Sequence, residues 1–372
     1  MSRHELERVV LGTTRCAGLR VHYRRRFAVS LIGLLWISCA GCGSMEKTAP
    51  ERPHPVEAQA QPVAADALPS WNDGRAKQSI LGFVAAVTKA GPGYVPPQER
   101  IVVLDNDGTL WPEQPIYTQL KFTIDRAKEV VGKRPELRTQ QPFKALLEND
   151  WKRIVSRGES GIDELLAGTY AGMTTREFEA IVSRWIGSAR EPRFNRLYTE
   201  LCYQPMLELM AYLRDNGFKV FIVSGGGVDF LRPWTERVYG VPPERVVGSR
   251  IKLQYENANE AAPALRRVAG VDFVDDRSGK PVGIQQMIGR QPIAAIGNSD
   301  GDFEMLEWTT TGPGTRLAMI VHHTDDVREW AYDRESAVGK LSHALDEAGE
   351  RGWTVVDMKR DWRTVYAFQN QN

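Results

Sequence analysis

Residues 100–111 read RIVVLDNDGTLW, and this stretch decides the fold. Residues 100–104 form a short β-branched run without polar alternation, the pattern of a strand buried on both faces of a parallel sheet. The chain then turns polar at once, through Asp105, Asn106, Asp107 and Gly108. Two carboxylates two residues apart, on a strand end that bends at a glycine, aim into one crevice. By itself this also reads as an ordinary turn, since Asn and Gly favour turns. The rest of the chain has to separate the two readings.

Three more short apolar runs read as buried strands: KVFIV at 219–223, PIAAI at 292–296 and LAMIV at 317–321. Helical spacing of apolar residues appears at 71–89, 206–216 and 303–308. Strands alternating with helices predict an α/β fold with a doubly wound parallel sheet. Residues 113–200 read almost wholly helical, with segments at 117–131, 142–155, 162–166 and 175–186. They interrupt the alternation as an inserted helical cap, leaving 71–112 and 201–372 as the α/β core.

Ligands of such sheets bind beyond the carboxyl ends of the strands. The second strand runs into Ser224-Gly225-Gly226-Gly227, a hydroxyl and open backbone suited to phosphate oxygens at a helix start. Lys280 sits between Gly279 and Pro281, in what reads as a tight turn. The third strand runs into Gly297-Asn298-Ser299-Asp300-Gly301-Asp302. Asp300 and Asp302 there could equally cap the helix that follows. His322-His323 after the fourth strand reads as a hydrogen-bonded or solvated pair rather than a metal site.

DNDGT at 105–109, the serine after the second strand, the isolated lysine and the GNSDGD loop, in this order, resemble the haloacid dehalogenase superfamily. The longer runs DNDGTLW, VSGGG, GNSDGD and AYDRES are similar to its phosphoserine-phosphatase-like branch, which includes secreted and lipoprotein phosphatases. The resemblance spans roughly residues 71–372. It implies a Rossmann-like core and a phosphatase mechanism in which Asp105 is the nucleophile and Asp107 the general acid and base. It also implies that Ser224 and Gly225 hold the phosphate and that Lys280 steadies Asp105. The implied cofactor is Mg²⁺, held by Asp105, Asp107 through its carbonyl, Asn298 and Asp302, with Asp300 as a further candidate. Asn298 departs from the pattern, which has an acid there. The cation site therefore loses one formal charge, and Asn298→Asp should tighten Mg²⁺ binding. The implied substrate is a small phosphomonoester. A phosphotransferase on the same fold and a non-catalytic ligand-binding lipoprotein are the alternatives.

Composition is that of an ordinary globular chain: 372 residues, 42% hydrophobic, 26% charged, net charge +1. No global basic excess points to nucleic acid. Residues 1–41 carry seven of the 48 basic and two of the 47 acidic residues, so the remainder holds 41 against 45. Arg24-Arg25-Arg26 precedes an uncharged run, FAVSLIGLLWISCAG at 27–41, too short to span a bilayer comfortably. Ala40-Gly41-Cys42 then resembles a bacterial lipoprotein signal, with Cys42 as the acylated residue and Cys39 standing where Leu is usual. The expectation is a signal peptide at 1–41 and a lipid anchor in the cell envelope facing the periplasm. Gly43-Ser44 lacks the Asp that often retains such lipoproteins at the inner membrane, so the resemblance implies the outer membrane. Residues 42–70 are rich in Pro, Ala, Gln and Glu without an apolar face, and predict a disordered tether. Cys202 is the only cysteine after Cys42 and reads as a core residue. Aromatic residues of the cap, among them Tyr117, Trp151, Tyr170 and Trp185, read as its helical core, with a cage for a quaternary ammonium as the alternative.

Overall fold

The short β-branched segments find their partners in a single mixed sheet. The computed structural model describes residues 66–148, 150, 168–257 and 262–371, all within one contact unit, Val63–Asn372. The predicted signal peptide, Cys42, most of the tether, Trp151 and the predicted helix at 162–166 lie outside the described residues. In chain order the strands are β1 (Ile101–Leu104), β2 (Arg190–Glu191), β3 (Arg196–Leu197), β4 (Lys219–Gly227) and β5 (Val246–Glu256). They continue with β6 (Ala264–Phe273), β7 (Ala294–Gly297), β8 (Leu317–Thr324), β9 (Ala331–Tyr332) and β10 (Thr354–Asp357). The main sheet runs β10-β8-β7-β1-β4-β5-β6, with β9 paired to β8. All pairs from β10 to β5 are parallel; β6 and β9 join antiparallel.

Every residue of β1 is buried, and alternate side chains enter different cores. Val102 and Leu104 join one apolar cluster, with helices Arg75–Thr88, Gln204–Asp215 and Val228–Tyr239. Ile101 and Val103 join the other, with helices Gly279–Met287, Phe303–Thr310 and His343–Glu347. Helices on both faces make the sheet doubly wound, as expected. From β1 the chain moves to β4 and β5 on one side, then returns to β7 and β8 on the other. The reversal falls between β1 and β7, and their carboxyl ends open where ligands bind in such sheets.

Within the insert at 113–200 the described residues form α-helices Thr118–Lys133, Phe143–Leu147 and Thr175–Ile186. The last starts at a reciprocal cap, Thr174 with Glu177, and its bounds match the sequence reading. Ile124, Ala127, Val131, Leu137, Phe143 and Leu146 make a separate small core there. Phe122 and Phe178 instead join the cluster under the main sheet, so the insert is packed onto the core.

Several expectations need correction. The insert is not wholly helical: β2 and β3 pair as a short antiparallel hairpin. The β5–β6 pair went unread because β5 is buried only over its first three residues, so neither face shows apolar alternation. Of the predicted helix at 142–155, the described part is helix Phe143–Leu147 and a following turn, and residues 149 and 151–155 lie outside the described residues. Packing begins before residue 71, since Leu68 is fully buried and Ser70 bonds the Glu208 carboxylate through both backbone and side chain. Asp66–Ser70 therefore belong to the packed unit rather than to the tether. Cys202 is a core residue: burial pushes its thiol up to about 12.

Candidate active site

The loop after β1 is wound tightly by its own backbone. Asn106 O accepts from Thr109 N and Leu110 N at 3.2 and 2.8 Å, and Gly108 N donates to Trp111 O at 2.8 Å. Gly108 has φ +75°, and a Cβ there would lie 2.1 Å from Asn298 Nδ2, so only glycine fits. Asp105 N donates to Ile296 O at 2.9 Å, which ties the loop to the neighbouring strand β7. The two acidic loops thus meet at the reversal of the sheet.

Lys280 joins them. Its Nζ lies 2.6 Å from Asp105 Oδ1 and 2.5 Å from Asp302 Oδ1, and donates to Val223 O at 3.1 Å. Lys280 is 2% exposed and sits in the first turn of helix Gly279–Met287, not in the tight turn expected. Burial works against its ammonium, but the charges and hydrogen bonds of Asp105 and Asp302 outweigh that and hold the proton on.

Asp107 takes a hydrogen bond on Oδ1 from Trp111 Nε1 at 2.8 Å. The Trp111 ring is fully buried and stacks on Trp234, with centroids 4.7 Å apart. Burial raises the pKa of the Asp107 carboxyl, and the Trp111 bond opposes that. Burial also pushes Asp105 well above the usual carboxylate range, helped by the nearby charge of Asp302 and opposed by Lys280.

At the end of β4, Ser224 is buried and its Oγ accepts from Gly226 N at 3.0 Å. A Cβ on Gly226 would lie 3.7 Å from Asp107 Oδ2, which places this loop beside the acid pair. Gly227 N donates to Gln119 Oε1 at 2.7 Å, so the helical insert reaches the glycine loop through Gln119. Gly225 follows Ser224 with an exposed backbone.

The loop after β7 divides its residues between tasks. Asp302 is fully buried, and its Oδ2 accepts from Asn298 N, Ser299 N and Ser299 Oγ at 3.0 to 3.2 Å. Both of its oxygens are therefore engaged, one by the loop and one by Lys280. This favours an anchoring role over the ligand role that the resemblance implies. Asp300 Oδ1 accepts from Ser342 N and Ala344 N, both at 3.0 Å, so it holds the start of helix His343–Glu347. Asn298 is 1% exposed, and its Oδ1 accepts from Thr109 Oγ1 at 3.0 Å.

The sequence reading missed Glu113. Its carboxylate is 2% exposed, and Oε1 accepts from Asn298 Nδ2 at 2.7 Å and Tyr332 Oη at 2.9 Å. Burial pushes it well above the usual range, and the charges of Asp107 and Asp105 add to the effect. It also missed the use of His323, whose Nε2 lies 2.8 Å from Gly108 O and whose Nδ1 lies 3.0 Å from the buried Glu329 carboxylate. His323 thus braces the first loop from behind by hydrogen bonds. Neither residue stands in a Gly-rich stretch at a strand end, which is the signal that exposed the others.

Among the described residues no three His, Cys, Asp or Glu side chains form a ready-made metal cage. The donor set nevertheless fits a hard divalent cation. Asp105, Asp107, Asp302 and Glu113 bring four carboxylates to one region, with the single buried ammonium of Lys280 among them. Oxygen donors with surplus negative charge suit Mg²⁺. Asp105, the Asp107 carbonyl and the Asn298 amide oxygen are the groups available to hold it.

No curated protein matches the chain in sequence. Among solved structures, a Bordetella pertussis Tohama I protein of unknown function is similar at 17% identity and TM-score 0.45, over 70% of this chain and 99% of that one. A phosphoserine phosphohydrolase-like protein from Francisella tularensis is similar at 16% and 0.34, over 60% and 87%. A substrate-bound phosphoserine phosphatase is similar at 13% and 0.33, over 68% and 97%. The haloacid dehalogenase-like hydrolase family matches residues 102–307, from β1 to the helix after the second acidic loop and more than half of the chain. With the doubly wound sheet and the Asp105–Lys280–Asp302 arrangement at its reversal, the chain belongs to the haloacid dehalogenase-like hydrolases.

Proposed function

We propose that this hydrolase is a Mg²⁺-dependent phosphatase that cleaves small phosphomonoesters through an aspartyl-phosphate. The observation that carries the reading is the placement of Asp105 on Lys280, with Asp107 beside the Ser224 loop at the same sheet reversal. An Asp105 oxygen attacks phosphorus, and the bond from phosphorus to the ester oxygen breaks. Asp107 gives its proton to that leaving oxygen. Water then attacks the phosphorus of the aspartyl-phosphate, Asp107 takes the water's proton, and the bond to Asp105 breaks to release phosphate. Burial raises the pKa of the Asp107 carboxyl, the direction that suits a group which must carry a proton to the leaving oxygen. Ser224 and Gly225 would hold phosphate oxygens, and Lys280 would offset their charge. Mg²⁺, when bound, would screen the repulsion between phosphate and Asp105.

Among the described residues the cap's rings support packing rather than an ammonium cage. Tyr170 is buried and stacks on Phe122, and Trp185 stacks on Tyr198 and donates to Asp125. Phosphate release by the full chain in detergent, over a panel of small phosphomonoesters with and without Mg²⁺, tests the reading. Release that needs Mg²⁺ and vanishes in Asp105→Asn supports it; activity above a few per cent in that variant sinks the nucleophile assignment. Added alcohol separates hydrolysis from transfer by the appearance of a new phosphate ester.

The second part of the proposal is location: an envelope membrane, through lipid on Cys42, with the enzyme facing the periplasm. The basic leader, the short apolar run and the small residues before Cys42 support it. Cys42→Ala should release the protein from the membrane fraction. Continued membrane association would point to an uncleaved anchor.

A further inference from the structure

We propose that Asn298 and Glu113 act together as one divided carboxylate in the divalent-cation site. Asn298 presents the oxygen, and Glu113, ionised when the cation is bound, supplies the negative charge that an asparagine lacks. The inference rests on the cation dependence proposed above.

The geometry is specific. The Asn298 amide lies between a donor and an acceptor: Thr109 Oγ1 donates to Oδ1 at 3.0 Å, and Nδ2 donates to Glu113 Oε1 at 2.7 Å. Thr109 and Asn298 are at most 1% exposed and Glu113 is 2% exposed. A carboxylate accepts only, so Glu113 permits one orientation of the amide, with Nδ2 toward itself. Oδ1 is thereby turned to the Thr109 side, and a carbonyl oxygen keeps a second lone pair after accepting one hydrogen bond. A charged acceptor on the N–H side draws the amide toward its dipolar form and makes Oδ1 a more basic donor to a cation.

Glu113 is itself held in place. Tyr332 Oη donates to the same oxygen at 2.9 Å, and the Tyr332 ring stacks on His323, which braces Gly108. Space has been kept for the pair by glycines from two separate segments. A Cβ on Gly108 would come 2.5 Å from Glu113 Oε1, and one on Gly339 would come 1.8 Å from it. Glu113 is thus a positioning residue, acting through Asn298.

The test is a charge swap read by Mn²⁺ binding, with calorimetry on the full chain in detergent and no substrate present. Glu113→Gln should loosen Mn²⁺ about 10- to 100-fold, the usual effect of losing a partner behind a metal ligand. Asn298→Asp together with Glu113→Gln restores one charge and one hydrogen bond in the reverse sense. That double variant should bind Mn²⁺ at least about tenfold more tightly than Glu113→Gln alone. Thermal melts of each variant separate loss of the site from loss of the fold; if Glu113→Gln does not fold, the double variant is compared directly with wild type. The proposal is overturned if folded Glu113→Gln binds Mn²⁺ as wild type does, if the double variant binds no better than Glu113→Gln, or if wild type binds no Mn²⁺. Tight Mn²⁺ binding that follows this pattern in a protein releasing no phosphate from any ester would uphold the pair and overturn the phosphatase reading.

Discussion

Trp111 does two jobs at once: its ring fills the core against Trp234, and its N–H holds Asp107 Oδ1. Trp111→Phe keeps an aromatic ring, though a smaller one, and removes the bond that lowers the Asp107 pKa, so that pKa should rise further. If Asp107 donates the proton to the leaving group, the alkaline limb of kcat/KM moves to higher pH in this variant. An unmoved limb with unchanged folding would separate Asp107 from that limb. Asn298 shows how one neighbour adds a stability cost to a substitution. From the motif alone, Asn298→Asp should tighten Mg²⁺ binding. With the Glu113 carboxylate 2.7 Å from the side chain, the single substitution sets two buried carboxylates face to face. It should lower the metal-free melting temperature, whereas the same change made with Glu113→Gln should not do so to the same extent. Equal melts for the two would show that Glu113 is neutral in the metal-free protein.

At the scale of elements, the insert is held by particular ends and contacts. Helix Thr175–Ile186 starts at the Thr174–Glu177 capping box, with Glu177 N on Thr174 Oγ1 at 3.2 Å and Thr174 N on Glu177 Oε2 at 2.7 Å. Thr174→Ala should cost about 1 kcal/mol in urea unfolding, and a change below a few tenths would show that tertiary packing alone fixes this helix start. The same region touches β6, since Gly172 N donates to Arg267 O and Arg267 N to Met173 O. The Arg267 guanidinium lies over the Phe178 ring at 3.7 Å and pairs with Asp229. The long β5–β6 pair therefore ties the insert to the sheet edge, a contact between segments about 95 residues apart.

For the whole molecule, buried acid sets the pH dependence of stability. Asp275 is fully buried, neither of its oxygens has a hydrogen-bond partner, and burial pushes its carboxyl up to about 7. Its folded value lies above its unfolded one, so its contribution is fully present below about pH 4 and is lost as pH rises through about 7. Asp275→Asn removes this titration. Relative to wild type, the variant should gain about 2–3 kcal/mol between pH 5 and pH 8 in urea unfolding. Parallel pH profiles for the two proteins would refute the assignment. The crowded carboxylates of the active site act in the same sense, so Mg²⁺ should raise the melting temperature, as any ligand bound only by the folded state does.

The strand-forming runs at β1, β4, β7 and β8 and the oxygen-rich loops after three of them are local properties of the sequence. β-Branched and apolar runs mark strands buried on both faces, and Gly, Asn, Asp and Ser mark the bends that follow. Asp105, Asp107, Ser224 and Asn298 could be named on that basis, together with the doubly wound class, whereas Lys280 took its place from the family resemblance. The β5–β6 pair left no such mark, because few of its residues are buried on either side. Glu113, Gln119 and His323 were equally silent, since each meets the site only through chain segments far away in sequence. Which oxygen of Asp302 serves the loop and which serves Lys280, and that Asn298 is backed by a carboxylate, are matters of packing. Hydrogen bonds over 2.5–3.2 Å depend on the positions of several elements at once, and only the folded chain sets those.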